Sequence, residues 1–220
     1  VWKGFEESPM RKRFFDQFDT KKFNENVAQC MNETYDIGLV GTYSVENFGG
    51  AVTYYALYCV LKQLGYSVLM IDRPRYENSR KKLDEIYCIS PYEDYEIATN
   101  YFSKEQMYEL NNKCEKFVVG SDQMFHAYIY QLFGRFASLN WVFENKLKVA
   151  IGASFGNDYF GGGESERAQL QYELQKFDAF SVREESGVKV AKEYFGIDAK
   201  WILDPIFLCE KKKIMDLVWK

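Results

Sequence analysis

The stretch from Asp36 to Asp72 constrains the fold more than any other part of the chain. Asp36-Ile37-Gly38-Leu39-Val40-Gly41-Thr42 is a compact apolar run, as a buried strand requires. It leads into a turn, Glu46-Asn47-Phe48-Gly49-Gly50. From Ala51 to Gly65 apolar residues recur at intervals of three and four, through Val52, Tyr55, Ala56, Cys59, Val60 and Leu64, and Gly65 supplies a stop. That spacing predicts an amphipathic helix with a glycine C-terminus. Ser67-Val68-Leu69-Met70-Ile71-Asp72 follows as a second strand. Strand, turn, helix and strand make one βαβ unit, so the two strands run parallel in one sheet.

The pattern continues beyond Asp72. The polar, tyrosine-rich section 76–112 predicts helices near 78–87 and 103–113, and is long enough to cover the sheet or wall a site. Strands are expected at 115–119, 147–153, 179–183 and 200–203, with helices at 164–176 and 184–195. The expected fold class is α/β, a Rossmann-like parallel sheet with flanking helices. Residues 1–34 mix charge and apolar groups at helical spacing with no β-branched run, and read as a helical linker or N-terminal extension. Arg11-Lys12-Arg13 within it fits a solvated helix face, or docking to an acidic partner or lipid.

Composition narrows the class. The 220 residues are 47% apolar and 27% charged, ordinary globular usage that excludes disorder and collagen-like repeats. A net charge of −4 argues against nucleic acid as a partner. No apolar run approaches the roughly 18–20 residues of a membrane span, and no basic-then-apolar leader opens the chain. The expectation is a soluble, cytoplasmic protein. Aromatic residues reach 18%, enough for a full core and for surfaces that meet sugars or another domain.

Five cysteines (Cys30, Cys59, Cys88, Cys114, Cys209) form no CxxC pair, and His126 is the sole histidine. This predicts reduced, mostly buried thiols and neither a disulfide framework nor a zinc site. The sequence opens at Val1 without methionine and closes within a helical pattern, so it reads as a piece of a longer chain, with 211–220 starting a helix that leads elsewhere.

Each expected strand stops abruptly in small or polar residues: Thr42-Tyr43-Ser44, Gly120-Ser121-Asp122-Gln123, Ser154-Phe155-Gly156, Arg183-Glu184-Glu185 and Asp204-Pro205. In an open parallel sheet these carboxyl ends lie along one edge, where ligands bind. Asn47-Phe48-Gly49-Gly50 is either a tight strand-to-helix turn or an anion or sugar contact at a helix N-terminus. It is neither GxGxxG nor a P-loop. Asp122 is a general acid or base, or a cap on the next helix. Arg183 pairs with Glu184 or Glu185, or holds a phosphate or carboxylate. His126 is a structural histidine or a catalytic one.

Several of these blocks resemble one family. Asn47-Phe48-Gly49-Gly50-Ala51 with Tyr55-Ala56-Leu57, Leu61 and Leu64-Gly65-Tyr66 resembles the opening of the polysaccharide pyruvyl transferases. Phe117-Val118-Val119-Gly120-Ser121-Asp122-Gln123, Ala153-Ser154-Phe155-Gly156, Ser181-Val182-Arg183-Glu184-Glu185-Ser186-Gly187 and Leu203-Asp204-Pro205 follow in the family's order. The resemblance runs from Tyr35 to Leu208. It implies the first lobe (residues 35–210) of a glycosyltransferase-B-like architecture, whose second lobe carries an Arg-x-His motif. It also implies transfer of the pyruvyl unit of phosphoenolpyruvate, the donor substrate, to two hydroxyls of a sugar or polysaccharide precursor as a cyclic ketal, with no obligate cofactor or metal.

Such chemistry needs cations for phosphate and carboxylate, a proton donor and a proton acceptor. On that chemistry Asp122 and His126 are the catalytic candidates and Asn47, Gly49, Gly50, Ser121, Ser154 and Arg183 the substrate contacts, Arg183 also by its place in the matched block. Met124-Phe125-His126 departs from the Val-Trp-Asn-like stretch usual there. Two other readings stay open: a sugar transferase of the same architecture using a nucleotide-sugar, and a non-catalytic interaction domain of a polysaccharide-biosynthesis protein.

Overall fold

The computed structural model describes residues 32–42, 48–72, 96–97, 104–133 and 136–214. Seven strands form one sheet: β1 (Tyr35–Gly41), β2 (Val68–Asp72), β3 (Glu96–Ile97), β4 (Cys114–Gly120), β5 (Leu147–Ala153), β6 (Ala179–Val182) and β7 (Lys200–Trp201). Their order is β3-β2-β1-β4-β5-β6-β7, and every pair is parallel. This is the α/β Rossmann-like arrangement expected from the sequence. The chain winds outward from β1 to β3, then returns to lay β4 on the other side of β1. The order therefore reverses between β1 and β4, the place where open parallel sheets bind ligands.

The helices are α1 (Phe48–Gln63), α2 (Lys104–Glu109), α3 (Ala127–Phe133), α4 (Glu164–Leu174) and α5 (Glu185–Phe195). Helix α5 shows the expected one-sided pattern, with Gly187, Val190, Ala191 and Phe195 buried and Gly196 closing it at φ 70°. Helix α1 does not. Val52 to Cys59 are all buried, because the helix lies between the sheet and the 3₁₀ turn Pro205–Leu208. It is a core helix, and the amphipathic expectation is corrected. The three-and-four spacing picked out its apolar residues but not the tyrosines that complete the other side: Tyr54 is fully buried and Tyr58 nearly so.

Other differences are local. Helix α1 begins at Phe48, so Gly49 and Gly50 occupy its first turn instead of preceding it. Strand β3 and helix α3 were not anticipated; a two-residue strand and a seven-residue helix offer too few positions for a periodic signal. Strand β7 ends at Trp201, two residues early. Residues 1–31 and 215–220, the expected helix at 78–87, Asn47, Cys30 and Cys88 lie outside the described residues.

The central strands are buried on both faces, as parallel sheets require. Gly41 lets α1 approach β1, since a Cβ there would stand 2.1 Å from the Tyr54 ring. Much of the aromatic content packs beneath the carboxyl ends of β4 to β6. Phe125 stacks on Phe180 at 5.3 Å, Phe155 on Phe195 at 5.3 Å, and Phe177 closes the group against Phe180 at 5.6 Å. Cys59, Cys114 and Cys209 are buried free thiols, and burial pushes Cys59 up to about 11 and Cys114 up to about 12. Among the described residues no helix is long and apolar enough to cross a membrane.

Candidate functional site

Strand β4 ends in an abrupt reversal. Gly120 has φ 152° and Ser121 φ 53°, two successive residues in positive-φ backbone. Gly120 is obligatory, because a Cβ would meet the Ile151 carbonyl oxygen at 2.1 Å. The reversal carries Asp122 over the end of β5, where the Asp122 carbonyl accepts from Ser154 N at 3.0 Å and from Met124 N at 2.7 Å. Ser121 N in turn donates to the Ile151 carbonyl at 3.1 Å. Backbone bonds thus weld the ends of β4 and β5 into one rigid rim.

Arg183 follows β6, two strands from β4, roughly 10 Å away at ordinary strand spacing. A guanidinium is long enough to return across β5, and this one does. Its Nη1 donates to the Ser121 carbonyl at 2.6 Å and to Asp204 Oδ2 at 2.9 Å. Nη2 stands 3.8 Å from Asp122 Oδ1, and Nε 3.7 Å from Glu184 Oε2. The sequence-level pair, Asp122 and Arg183, is therefore brought together, although the two lie 61 positions apart. Nη1 is fully used within the protein. Nη2 and Nε make no hydrogen bond to any described residue and keep their protons for another acceptor.

Three carboxylates surround this one cation, each side chain about a fifth to a third exposed: Asp122 20%, Glu184 30% and Asp204 18%. The cluster carries two more negative charges than it can neutralise. Two buried oxygens in it, Ser121 Oγ and Glu184 Oε1, have no hydrogen-bond partner among the described residues. Native folds rarely leave such atoms orphaned unless a ligand or ordered water completes them.

The neighbouring residues are more fully committed. Ser154 is buried, with Oγ accepting from Gly156 N at 2.9 Å. Asp122 Oδ1 accepts from Gln123 N at 2.8 Å, so Asp122 closes its own turn and does not cap α3. That cap is His126, whose Nδ1 accepts from Tyr128 N at 3.2 Å. The other ring nitrogen, Nε2, lies 3.0 Å from the Asn157 amide. The Asn157 atom facing it is Nδ2, and the ring's tautomer sets which of the two donates. Gly49, exposed in the first turn of α1, lies after the end of β1 beside the switch point. Amides of a first helical turn have no acceptor within the helix.

Asp204 was not singled out in the sequence beyond ending a strand. Its Oδ1 accepts from Ile206 N at 3.0 Å, capping the 3₁₀ turn, while Oδ2 holds Arg183. An acid directly before proline is a readable capping signal; its partnership with Arg183 spans 21 positions and has no local signature. Asn157 was missed for the same reason.

Fold and rim define an α/β domain with a polar rim along the carboxyl ends of β4 to β6, next to the strand-order reversal. A family model, polysaccharide pyruvyl transferase, matches residues 47–219, which takes in α1, the rim and the Arg183 cluster. The chain belongs to the polysaccharide pyruvyl transferase family. A search of the curated proteins returns no match.

Proposed function

We propose that the protein transfers the pyruvyl unit of phosphoenolpyruvate to two hydroxyls of a sugar in a polysaccharide precursor, forming a ketal. The observation that carries this reading is the meeting of Asp122 and Arg183 over the carboxyl end of β5, one strand from the switch point, in a chain of this family. Ketal formation requires a proton to reach the enol methylene carbon, leaving an oxocarbenium-like centre that two hydroxyls attack as phosphate departs. Asp122 is the acid and base of this scheme, within reach of solvent and tethered by its own turn. Arg183 has two roles. Through Nη1 it fixes Ser121 and Asp204; through Nη2 and Nε it binds the donor carboxylate.

The excess carboxylates then suit neutral hydroxyls better than a second anion. Glu184 and the orphaned Ser121 Oγ are acceptor-side partners, with Ser154 setting the loop beneath. The donor phosphate falls to the first turn of α1, at Gly49 and Gly50 with Asn47 ahead of them, where the helix end favours negative charge. His126 holds the rim in place as a cap. In this reading residues 35–210 are the first lobe of a cytoplasmic two-lobed enzyme, 1–34 lead into it and 211–220 lead on, and the opposing lobe supplies further cations.

Thermal shift tests the proposal. Phosphoenolpyruvate should stabilise the protein, and Arg183→Gln should remove that response while the variant stays folded. Indifference to phosphoenolpyruvate together with stabilisation by a nucleotide-sugar would overturn it.

A further inference from the structure

The opposite edge of the sheet holds a second group of unusual residues. Lys148 is the second residue of β5, only 4% exposed, and lines a cavity of about 260 Å³. Its two lysine neighbours are partnered: Lys146 Nζ donates to the Cys114 carbonyl at 2.9 Å, and Lys176 Nζ pairs with Glu144 at 3.3 Å. The Lys148 ammonium has neither. Among the described residues no carboxylate lies within ion-pairing distance of it and no acceptor takes its protons. Its only polar contacts are through the backbone, where Lys148 N donates to Asp178 Oδ2 at 2.8 Å. Burial of the side chain costs the charged form, and the acids that act on it, Glu144 and Asp178, stand beyond ion-pair distance.

The rest of the cavity shows what would relieve that cost. The half-buried Asn140 amide lines it and makes no hydrogen bond with the described residues. Tyr108 and Phe143 form one wall, stacked at 6.0 Å and 23°. Tyr172 stands at the mouth, with Lys176 Nζ 4.5 Å from its ring centre. The acidic residues of the lining are already occupied: Glu144 by Lys176, and Glu173 by Ser138 Oγ, by Tyr130 OH at 3.3 Å and by Gln169 Nε2 at 2.9 Å. A cation therefore finds no idle ligand here, whereas an anion meets idle donors beside a flat apolar wall.

We propose that this cavity is a binding site for a small carboxylate or phosphate anion, held by Lys148 and Asn140 with its body against Tyr108 and Phe143. The volume lies just below the range of about 300–1,000 Å³ that drug-sized ligands use, so the occupant is metabolite-sized. Burial lowers the pKa of Lys148 and Lys176 adds to the effect, while Glu144 and Asp178 act the other way, and an anion here would add to theirs. The site lies roughly 16 Å along β5 from Ala153, at about 3.3 Å per residue. It is separate from the Arg183 rim and does not depend on pyruvyl transfer.

Calorimetric titration with inorganic phosphate and with benzoate tests the proposal. Phosphate probes the charge alone; benzoate adds a ring for the aromatic wall. Both should bind the protein, Lys148→Met should weaken them about tenfold or more, as loss of one charge-assisted hydrogen bond implies, and Lys192→Met, at an exposed lysine outside the cavity, should leave them unchanged. Tighter binding of benzoate than of acetate would assign the wall its part. Should Lys148→Met fail to fold, site-resolved reductive methylation of the unaltered protein decides the matter. Phosphate should slow modification of Lys148 but not of exposed Lys192. Absence of binding by either anion, equal binding by Lys148→Met, loss in Lys192→Met, or unprotected Lys148 would each overturn the site.

Discussion

Arg183 and Asp204 are joined by a 2.9 Å hydrogen bond from Nη1 to Oδ2, and the same carboxylate caps the turn that follows it through Oδ1. One side chain therefore fixes both the guanidinium of the rim and the segment packed on α1. Asp204→Ala removes a charge-assisted bond and a cap together, at a cost of about 2–3 kcal/mol for this partly buried pair. Urea denaturation should read that loss. Asp204→Asn, which keeps the cap, should lose roughly half as much.

At the other end of the sheet, Asp36 and Ser67 clasp the starts of β1 and β2. Asp36 Oδ2 accepts from Ser67 N and from Ser67 Oγ, both at 2.8 Å, and Asp36 N donates to Ser67 Oγ at 2.9 Å. These bonds hold the Asp36 carboxyl below its ordinary 3.8, the Ser67 amide contributing most. A carboxyl depressed in the fold binds fewer protons there than in the unfolded chain, so its stabilisation is complete above 3.8 and is lost as pH falls through the lower folded value. Denaturation midpoints measured across that acid window should fall more steeply for the natural protein than for Asp36→Asn.

The sheet was legible because parallel strands buried on both faces announce themselves as largely apolar runs: Leu147–Ala153 is observed as expected, and the run expected at Asp36–Thr42 is observed as Tyr35–Gly41. The rim was legible for a related reason, since each run ends where it must reach solvent. What escaped was whatever depends on partners far apart in the chain. The sequence offers Glu184 and Glu185 as companions of Arg183, yet its short hydrogen bonds go to Asp204 and to the Ser121 carbonyl. His126 reads as a lone ring near an acid; only the start of α3, a helix too short to show a period, makes it a cap. Lys148 reads as one charged residue in an apolar strand, and nothing local says that Glu144 and Asp178 act on it without an ion pair among the described residues.

Gly156 is held at φ 76°, and a Cβ added there would stand 2.7 Å from His126 Cδ2 and 3.1 Å from the Gln123 side-chain carbon. Gly156→Ala therefore combines left-handed backbone strain of about 1–2 kcal/mol with displacement of the ring that caps α3. Thermal unfolding should show a fall of several degrees, at roughly 2–4 °C per kcal/mol for a chain of this size. His126→Asn, which restores a good capping side chain, should stay close to the natural protein, whereas His126→Ala should lose about 1 kcal/mol.

Asp122 separates proton transfer from scaffolding. Its Oδ1 accepts from Gln123 N, a bond that an asparagine oxygen reproduces, and its ion pair with Arg183 is long at 3.8 Å. Asp122→Asn should therefore fold normally and lose little stability, because a long, partly solvated pair contributes at most about 1 kcal/mol. If the carboxyl moves the proton, turnover should fall by about 10²–10⁴-fold, and KM for phosphoenolpyruvate should change little. A variant that keeps its turnover but binds phosphoenolpyruvate poorly would assign Asp122 to holding Arg183 in place instead. The Arg183→Gln variant would then have to reproduce the same KM defect.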